Sequence, residues 1–119
     1  MANAFGKHVR GQREALCSLD PQFGLRQTAA EIGVEPSYLS KVERGLVAPP
    51  SEATIIRLAE ALALDSDELL GLAGKISPDV RRTILKRPKL MAGLVRQFAK
   101  VSDGGVQRVI LRARRSGKR

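Results

Sequence analysis

The stretch from Leu25 to Gly45 constrains the fold of this chain more than any other part of it. Ala29 is small enough to let a partner helix approach closely. Gly33 follows an apolar position where a helix often ends in the left-handed conformation, which only glycine adopts cheaply. Pro36 suits the first turn of a further helix, because its missing N–H costs nothing there. The stretch therefore predicts a short helix, a tight turn and a second helix.

The same stretch resembles the helix-turn-helix of the Xre/Cro-type phage-repressor family. The resemblance is carried by the two small residues and by four apolar positions spaced to face one core, namely Ile32, Val34, Leu39 and Val42. The run 37–45 looks like that family's second helix and its end. Similar residues are found from Phe5 to Arg10 and from Pro50 to Leu70. The resemblance therefore implies a compact DNA-binding domain in the first two thirds of the chain.

Helical spacing of Val, Ile, Leu and Ala along the chain predicts an all-α protein. We expect a five-helix, repressor-type helix-turn-helix domain over residues 1–75, followed by a basic helical extension over residues 76–119. The predicted helices cover residues 4–16, 25–32, 36–44, 52–64, 65–72, 78–86, 88–98 and 103–115.

Three segments fall outside this helical pattern. The loop 18–24 is longer than the usual connection in the family, and we expect Leu19 and Phe23 to pack it down onto the domain. The chain ends, residues 1–4 and 116–119, are expected to be frayed.

Composition excludes several classes of protein. The single cysteine, Cys17, excludes an internal disulfide and a cysteine metal cluster, and the single histidine excludes a His-rich site. The apolar runs are too short to span a membrane, and no signal peptide opens the chain. These features predict a cytoplasmic protein that needs no metal and no cofactor. The sequence contains no paired-carboxylate cleft, no Gly-rich phosphate loop and no nucleophile–base spacing, so an enzyme is not expected.

The charge is distributed unevenly along the chain. Residues 1–75 hold eight basic and ten acidic residues, net −2, whereas residues 76–119 hold thirteen basic and two acidic residues, net +11. Such asymmetry predicts that the C-terminal third contacts a polyanion. The alternative is a solvated tail that only aids solubility. A basic amphipathic helix at 103–115 could also lie on an anionic membrane, although nothing else in the chain indicates one.

The resemblance implies how duplex DNA would be contacted. An α-helix fits the major groove, and the second helix of this motif presents its first residues to base edges. The base contacts implied for this chain are Glu35, Pro36, Ser37, Ser40 and Lys41. The phosphate contacts implied are Arg26, Gln27, Tyr38 and Arg44. Two alternatives stay open. The Glu35 side chain could serve solely as a cap of the helix 36–44, and the Tyr38 side chain could serve solely to pack against the neighbouring loop.

Two further predictions concern contacts between helices, one within the first domain and one in the C-terminal third. The resemblance implies a structural ion pair between Arg13 and Glu43, which would join the first helix to the third. An apolar stripe in the C-terminal third is expected to form a dimer interface or else to fold back on the first domain, and it consists of Leu90, Met91, Leu94, Val95 and Phe98.

These observations favour a sequence-specific regulator of transcription that binds double-stranded DNA. We expect a dimeric repressor that recognises a palindromic operator through the helix 36–44. One alternative is an antitoxin that binds a toxin through residues 76–119. A second alternative is a protein that organises DNA without sequence preference, driven by its basic C-terminal third.

Overall fold

The computed structural model describes residues 3–117, and every regular element in that range is helical. The predicted all-α class is therefore confirmed. The α-helices of residues 3–117 are α1 (Ala4–Cys17), α2 (Leu25–Ile32), α3 (Pro36–Glu43), α4 (Glu52–Ala61), α5 (Ser66–Leu72), α6 (Pro78–Lys86), α7 (Pro88–Phe98) and α8 (Asp103–Gly117). One 3-10 turn, Pro21–Phe23, lies between α1 and α2.

The chain divides into two compact units, Met1–Ser77 and Pro78–Arg119. The first unit contains α1 to α5, and the second contains α6 to α8. The first unit also contains the apolar core, whose fully or almost fully buried members are Phe5, Val9, Ala29, Ile32, Leu39, Val42, Ile55, Leu58, Ala59, Leu62, Leu69 and Leu70. Each fully buried large aliphatic side chain contributes about 1.5–3 kcal/mol relative to an exposed one. This aliphatic core is what fixes the positions of α2 and α3.

The corner between α2 and α3 is built as its glycine predicts. Gly33 takes a left-handed conformation with φ 78°, and its N–H donates to the carbonyl of Ala30 at 3.2 Å. The N–H of Val34 donates to the carbonyl of Ala29 at 2.9 Å, which completes the six-residue helix end known as a Schellman motif. Helix α3 then begins with Pro36 in its first turn. Local backbone chemistry therefore sets the angle at which the chain enters α3.

Helix α4 is shorter than predicted, because it ends at Ala61 and not at residue 64. Ala63 has a left-handed φ of 56°, and the N–H of Leu64 closes back on the carbonyl of Ala59 at 2.8 Å. The Gln12 side chain donates from Nε2 to the carbonyl of Leu62 at 2.8 Å, which binds this helix end to α1. The sequence offered no signal for this end, since alanine stands where glycine usually stands.

The loop between α1 and α2 is only partly as expected. Phe23 is half-buried and packs against the core, and Asp20 Oδ1 accepts a hydrogen bond from the Gln22 N–H at 2.9 Å to open the 3-10 turn. Leu19 is 85% exposed, so the expectation that it packs the loop down is wrong. The loop is held by Phe23 and by the backbone of the 3-10 turn.

The chain ends also differ from the expectation of frayed residues. Asn3 donates from Nδ2 to the carbonyl of Glu43 at 3.0 Å, and α1 begins at Ala4. At the other end, α8 continues through Gly117. The remaining parts of the two predicted frayed segments, residues 1–2 and 118–119, lie outside the described residues.

Gly6 lies where α1 crosses the end of α3, and it is expected to be irreplaceable. A Cβ added to Gly6 would lie 2.6 Å from the carbonyl oxygens of both Val42 and Glu43, which are backbone atoms and cannot swing aside. We expect Gly6→Ala to lower the free energy of unfolding by about 1–3 kcal/mol, as overpacking of a core does. Urea unfolding followed by circular dichroism measures this change.

The matched control is Gly11→Ala on the same helix. A Cβ added there meets no atom within 4 Å among residues 3–117, apart from its chain neighbours and the backbone of its own helix. Alanine in a helix interior is favoured over glycine by about 0.5–1 kcal/mol, so this variant should be more stable than the parent. Equal changes in the two variants would contradict the close crossing of α1 and α3 at Gly6.

Candidate nucleic-acid interface

Helix α3 has one buried face and one polar face. Leu39, Val42 and Glu43 are buried against the first unit, with 1–4% of each residue exposed. Of the residues predicted to meet bases, Glu35, Ser37 and Lys41 are exposed, whereas Pro36 and Ser40 are half-buried. The fixed inner face means that the helix can present its outer side chains without rearranging.

Glu35 occupies the N-cap position of α3, with extended backbone at φ −72° and ψ 141°. Its carboxylate makes no capping hydrogen bond to the N–H groups of α3 within the described part of the chain. The alternative that its side chain serves only as a cap is therefore not supported by this geometry. The Glu35 side chain is exposed beside the first turn of α3.

Ser40 and Arg44 are joined at the end of α3. The Arg44 Nε donates to the Ser40 carbonyl at 3.3 Å and lies 3.2 Å from the Ser40 Oγ. These contacts hold the Arg44 guanidinium close to the helix surface, and they engage the Ser40 hydroxyl. Ser40 is therefore less available for a base edge than Ser37 or Lys41, while the Arg44 side chain is exposed beside it.

The predicted phosphate contacts on α2 lie in its first turn. Arg26 and Gln27 are both exposed there. The residue before them at the N-cap is Gly24, which has no side chain to accept hydrogen bonds from the first N–H groups of α2. Free N–H groups at a helix start favour anions, so this end of α2 suits a phosphate. Tyr38 on α3 is half-buried and packs against the core.

Arg13 and Glu43 lie in contact across the interior of the first unit. Arg13 Nε donates to Glu43 Oε2 at 2.6 Å, and Arg13 Nη2 donates to Glu43 Oε1 at 2.9 Å. The two residues are 8% and 4% exposed, so the pair is removed from water. Arg13 Nη1 also donates to the Phe23 carbonyl at 3.4 Å, which ties the 3-10 turn to the same group. The pair therefore joins α1, α3 and the intervening loop.

The electrostatics of Arg13 agree with this geometry. Its hydrogen bond to Glu43 raises the pKa of the Arg13 guanidinium above its usual value, while burial acts in the opposite direction. A raised folded-state pKa means that the stability from the pair is fully present below the unfolded pKa. That stability is lost only as the pH rises through the still higher folded value. Arg13 therefore stays charged throughout the neutral range.

Sequence reasoning missed two side chains that hold the motif in place. The Asn3 side chain donates from Nδ2 to the Glu43 carbonyl at 3.0 Å, which closes the end of α3. Arg57 on α4 donates from Nε to the Ile32 carbonyl at 3.3 Å, which satisfies the last residue of α2. Both bonds join residues that are far apart in the sequence, so helical periodicity carries no signal for them.

The second unit is different in character. Among the described residues of α6, α7 and α8, none is buried. Within the predicted interface stripe, Leu90, Leu94 and Val95 are 67%, 49% and 62% exposed, whereas Met91 and Phe98 are half-buried. The stripe thus leaves a large apolar area in contact with water. None of the helices in residues 3–117 has the length and apolar character that crossing a bilayer requires.

Comparison with known families identifies this arrangement. A family model described as a helix-turn-helix domain matches residues 4–72, which include α1 to α5. The chain belongs to this helix-turn-helix family. Domains of this kind bind DNA and are not enzymes, and the resemblance to Xre/Cro-type regulators is compatible with the family.

Two relatives of the helix-turn-helix protein come from Mycobacterium tuberculosis. Both are named as uncharacterized HTH-type transcriptional regulators, one from strain CDC 1551 / Oshkosh and one from strain ATCC 25618 / H37Rv. Each is 37% identical over 73 residues, which cover 61% of this chain and 48% of the relative. The chain thus spans about half the length of the curated relatives it matches. No solved structure matches the chain significantly.

Proposed function

We propose that this protein is a sequence-specific regulator of transcription that binds double-stranded DNA as a dimeric repressor of the Xre/Cro type. The observation that carries the proposal is the division of α3 into two faces. Its inner face is buried and bonded to the rest of the first unit, whereas Ser37 and Lys41 project from its outer face. Helices α1 to α5 form the repressor-type domain, and the relatives named as transcriptional regulators agree with this function.

The proposed base contacts follow from the chemistry of the exposed side chains. Lys41 donates to the acceptor pair of a guanine, and Ser37 donates to or accepts from a base edge. Glu35 accepts from a cytosine amino group, and Pro36 gives only apolar contact, as with a thymine methyl group. Arg26, Gln27 and Arg44 bind phosphates and set the register of α3 in the groove. Ser40 supports Arg44 through its hydroxyl and its carbonyl.

Lys41→Ala tests the proposed base contact. The variant should lose about 1–3 kcal/mol of operator binding and should accept other bases at one operator position, because one donor to a guanine is removed. Binding to a panel of operators with single base changes measures both effects. Lys7→Ala, which removes an exposed lysine from α1, is the charge-matched control and should keep the preference at every position. Unchanged specificity in Lys41→Ala would contradict its base contact.

Dimerisation is proposed for the stripe on α7. A palindromic operator matches a two-fold protein, and one module alone contacts few base pairs. The exposed residues Leu90, Leu94 and Val95 supply apolar area that a second copy can cover. The cationic residues of the second unit then lie on the DNA beside each half-site, in the proposed arrangement.

Leu94→Asp tests this interface. A carboxylate at the centre of the stripe should raise the dimer dissociation constant at least tenfold, since burying an unpaired charge is costly. Sedimentation equilibrium gives that constant directly. Leu19→Asp is the control, because Leu19 is 85% exposed in the first unit and the same change there should leave assembly intact. A dimer of unchanged affinity in Leu94→Asp would rule out this stripe as the interface.

The experiment that tests the function as a whole is selection of bound duplexes from a random DNA pool at roughly physiological salt. Enrichment of an inverted repeat would support a dimeric specific regulator, and its half-site spacing would give the distance between the two α3 helices. Binding without an enriched sequence would favour the protein that organises DNA without sequence preference, for which the net charge of +11 in residues 76–119 is the supporting observation.

A further inference from the structure

A small cleft of about 170 Å³ opens where α1, the start of α2 and the end of α3 come together. Its lining residues are Arg10, Arg13, Leu25, Ser40, Glu43 and Arg44. Four of these are already explained, since Arg13 and Glu43 form the buried pair and Arg44 is bonded to Ser40. Arg10 is the basic residue of the cleft whose hydrogen bond, to Glu14, stays within α1.

The charges around the cleft favour an anion. Arg13 and Glu43 neutralise one another at its floor through two hydrogen bonds. The remaining charged side chains of its lining are Arg10 and Arg44, which are both cationic and both exposed. The Arg44 guanidinium is held at the cleft by its contacts to Ser40. The lining therefore holds one neutralised pair and two cations, of which Arg10 is paired with Glu14 outside the lining.

Arg10 is held weakly in its present position. Its Nε donates to Glu14 Oε2 at 3.0 Å, one helical turn away on α1. The two side chains are 53% and 55% exposed, and ion pairs in such contact with water are weak and screened by salt. A guanidinium binds a phosphate through two parallel hydrogen bonds. This arrangement is stronger than the single hydrogen bond that Arg10 makes to Glu14. Arg10 can therefore leave Glu14 and bind a phosphate.

We propose that this cleft binds one backbone phosphate of the duplex between Arg10 and Arg44, and that Glu14 competes with the phosphate for Arg10. This phosphate site rests on the proposed function, because the DNA contacts proposed there place the duplex against α2 and α3. It adds α1 to the DNA-binding surface. The contact fixes the position of the first unit on the backbone and carries no base preference.

The first test is the salt dependence of binding by the full chain, measured by fluorescence anisotropy with a random-sequence duplex. Losing one phosphate contact should reduce the log–log slope by about 0.9, so Arg10→Gln should show that decrease. Lys7→Gln removes an exposed cation of the same helix that does not line the cleft, and its slope should stay close to that of the parent. An unchanged slope in Arg10→Gln, or an equal decrease in Lys7→Gln, would overturn the site.

The second test uses the competitor. Glu14→Gln should strengthen binding more than Glu60→Gln, which removes an exposed carboxylate from α4 and controls for the change in net charge. In the double variant Arg10→Gln with Glu14→Gln, the extra gain should disappear, because Glu14 acts through Arg10. A gain that persists without Arg10 would contradict the proposed competition.

The outcome of these two tests is independent of the outcome for the proposed function. If duplex selection finds no enriched sequence, the regulator proposal fails, yet the slopes measured on random-sequence DNA still decide the role of Arg10. If selection finds an operator and the slopes do not change, the phosphate site alone is refuted. Arg10 and Glu14 are both exposed, so thermal unfolding should show that the variants fold like the parent.

Discussion

Glu43→Ala should lower the free energy of unfolding by about 3–5 kcal/mol, which is a large part of the stability of a small domain. The change removes the carboxylate that accepts two hydrogen bonds from Arg13, at 2.6 Å and 2.9 Å. It leaves the Arg13 side chain, which is only 9% exposed, without its counterion. The penalty arises from that stranded charge more than from the attraction that is lost. Urea unfolding measured at pH 7 gives the change directly.

A second variant distinguishes the loss of a buried ion pair from the loss of an exposed one. Glu14→Ala removes the carboxylate of the exposed pair with Arg10, whose side chains are 53% and 55% exposed. That change should cost at most about 1 kcal/mol. Replacing both Arg13 and Glu43 by Met and Leu should restore most of the stability, because no buried charge is then left unpaired. A Glu43→Ala protein as stable as Glu14→Ala would show that the pair is not buried in solution.

The effect on DNA binding should follow from the position of the pair. Arg13 on α1 and Glu43 on α3 form a buried contact between these two helices. Arg13 also donates to the Phe23 carbonyl at 3.4 Å. The double apolar variant should thus keep a folded domain while losing part of the fixed orientation of α3. Operator affinity should fall in that variant even though no proposed base contact has been changed.

The elements that could be predicted from the sequence are those whose ends are fixed locally. Helices α2, α6 and α7 have the predicted bounds, and α3 differs only at its last residue. Gly33 and Pro36 determine the corner by their own backbone preferences, which do not depend on the rest of the chain. The end of α4 could not be predicted in this way, because Ala63 is held in a left-handed conformation by the surrounding fold.

The candidate site shows the same division. Periodicity correctly separated the buried Leu39 and Val42 from the exposed Ser37 and Lys41, since this separation requires only a helix and a core. It carried no information about Asn3 or about the cleft beside Arg10, because those features depend on which distant elements meet. The exposure of Leu19 was missed for a related reason, since the 3-10 turn orients Phe23 inward and leaves Leu19 on the outside.

Removing residues 78–119 should weaken binding to random-sequence DNA by orders of magnitude and should leave the preference for the operator in place. The segment holds thirteen basic and two acidic residues, so its removal changes the net charge from +9 to −2. A protein with 6–10 phosphate contacts loses about 10³–10⁵ in affinity between 50 and 200 mM salt. The first unit keeps the whole apolar core and α3, and it should remain folded.

Two further variants separate charge from assembly in this result. Replacing the arginines at 108, 112 and 115, which share one face of α8, by glutamine removes three exposed cations and should reduce the log–log salt slope by about 2.7 if each binds a phosphate. Leu94→Asp keeps those arginines and should weaken only the binding that depends on two copies. If the truncated first unit still folds and binds DNA but prefers no sequence, then α3 does not read bases, and the basic second unit becomes the main DNA-binding part of the protein.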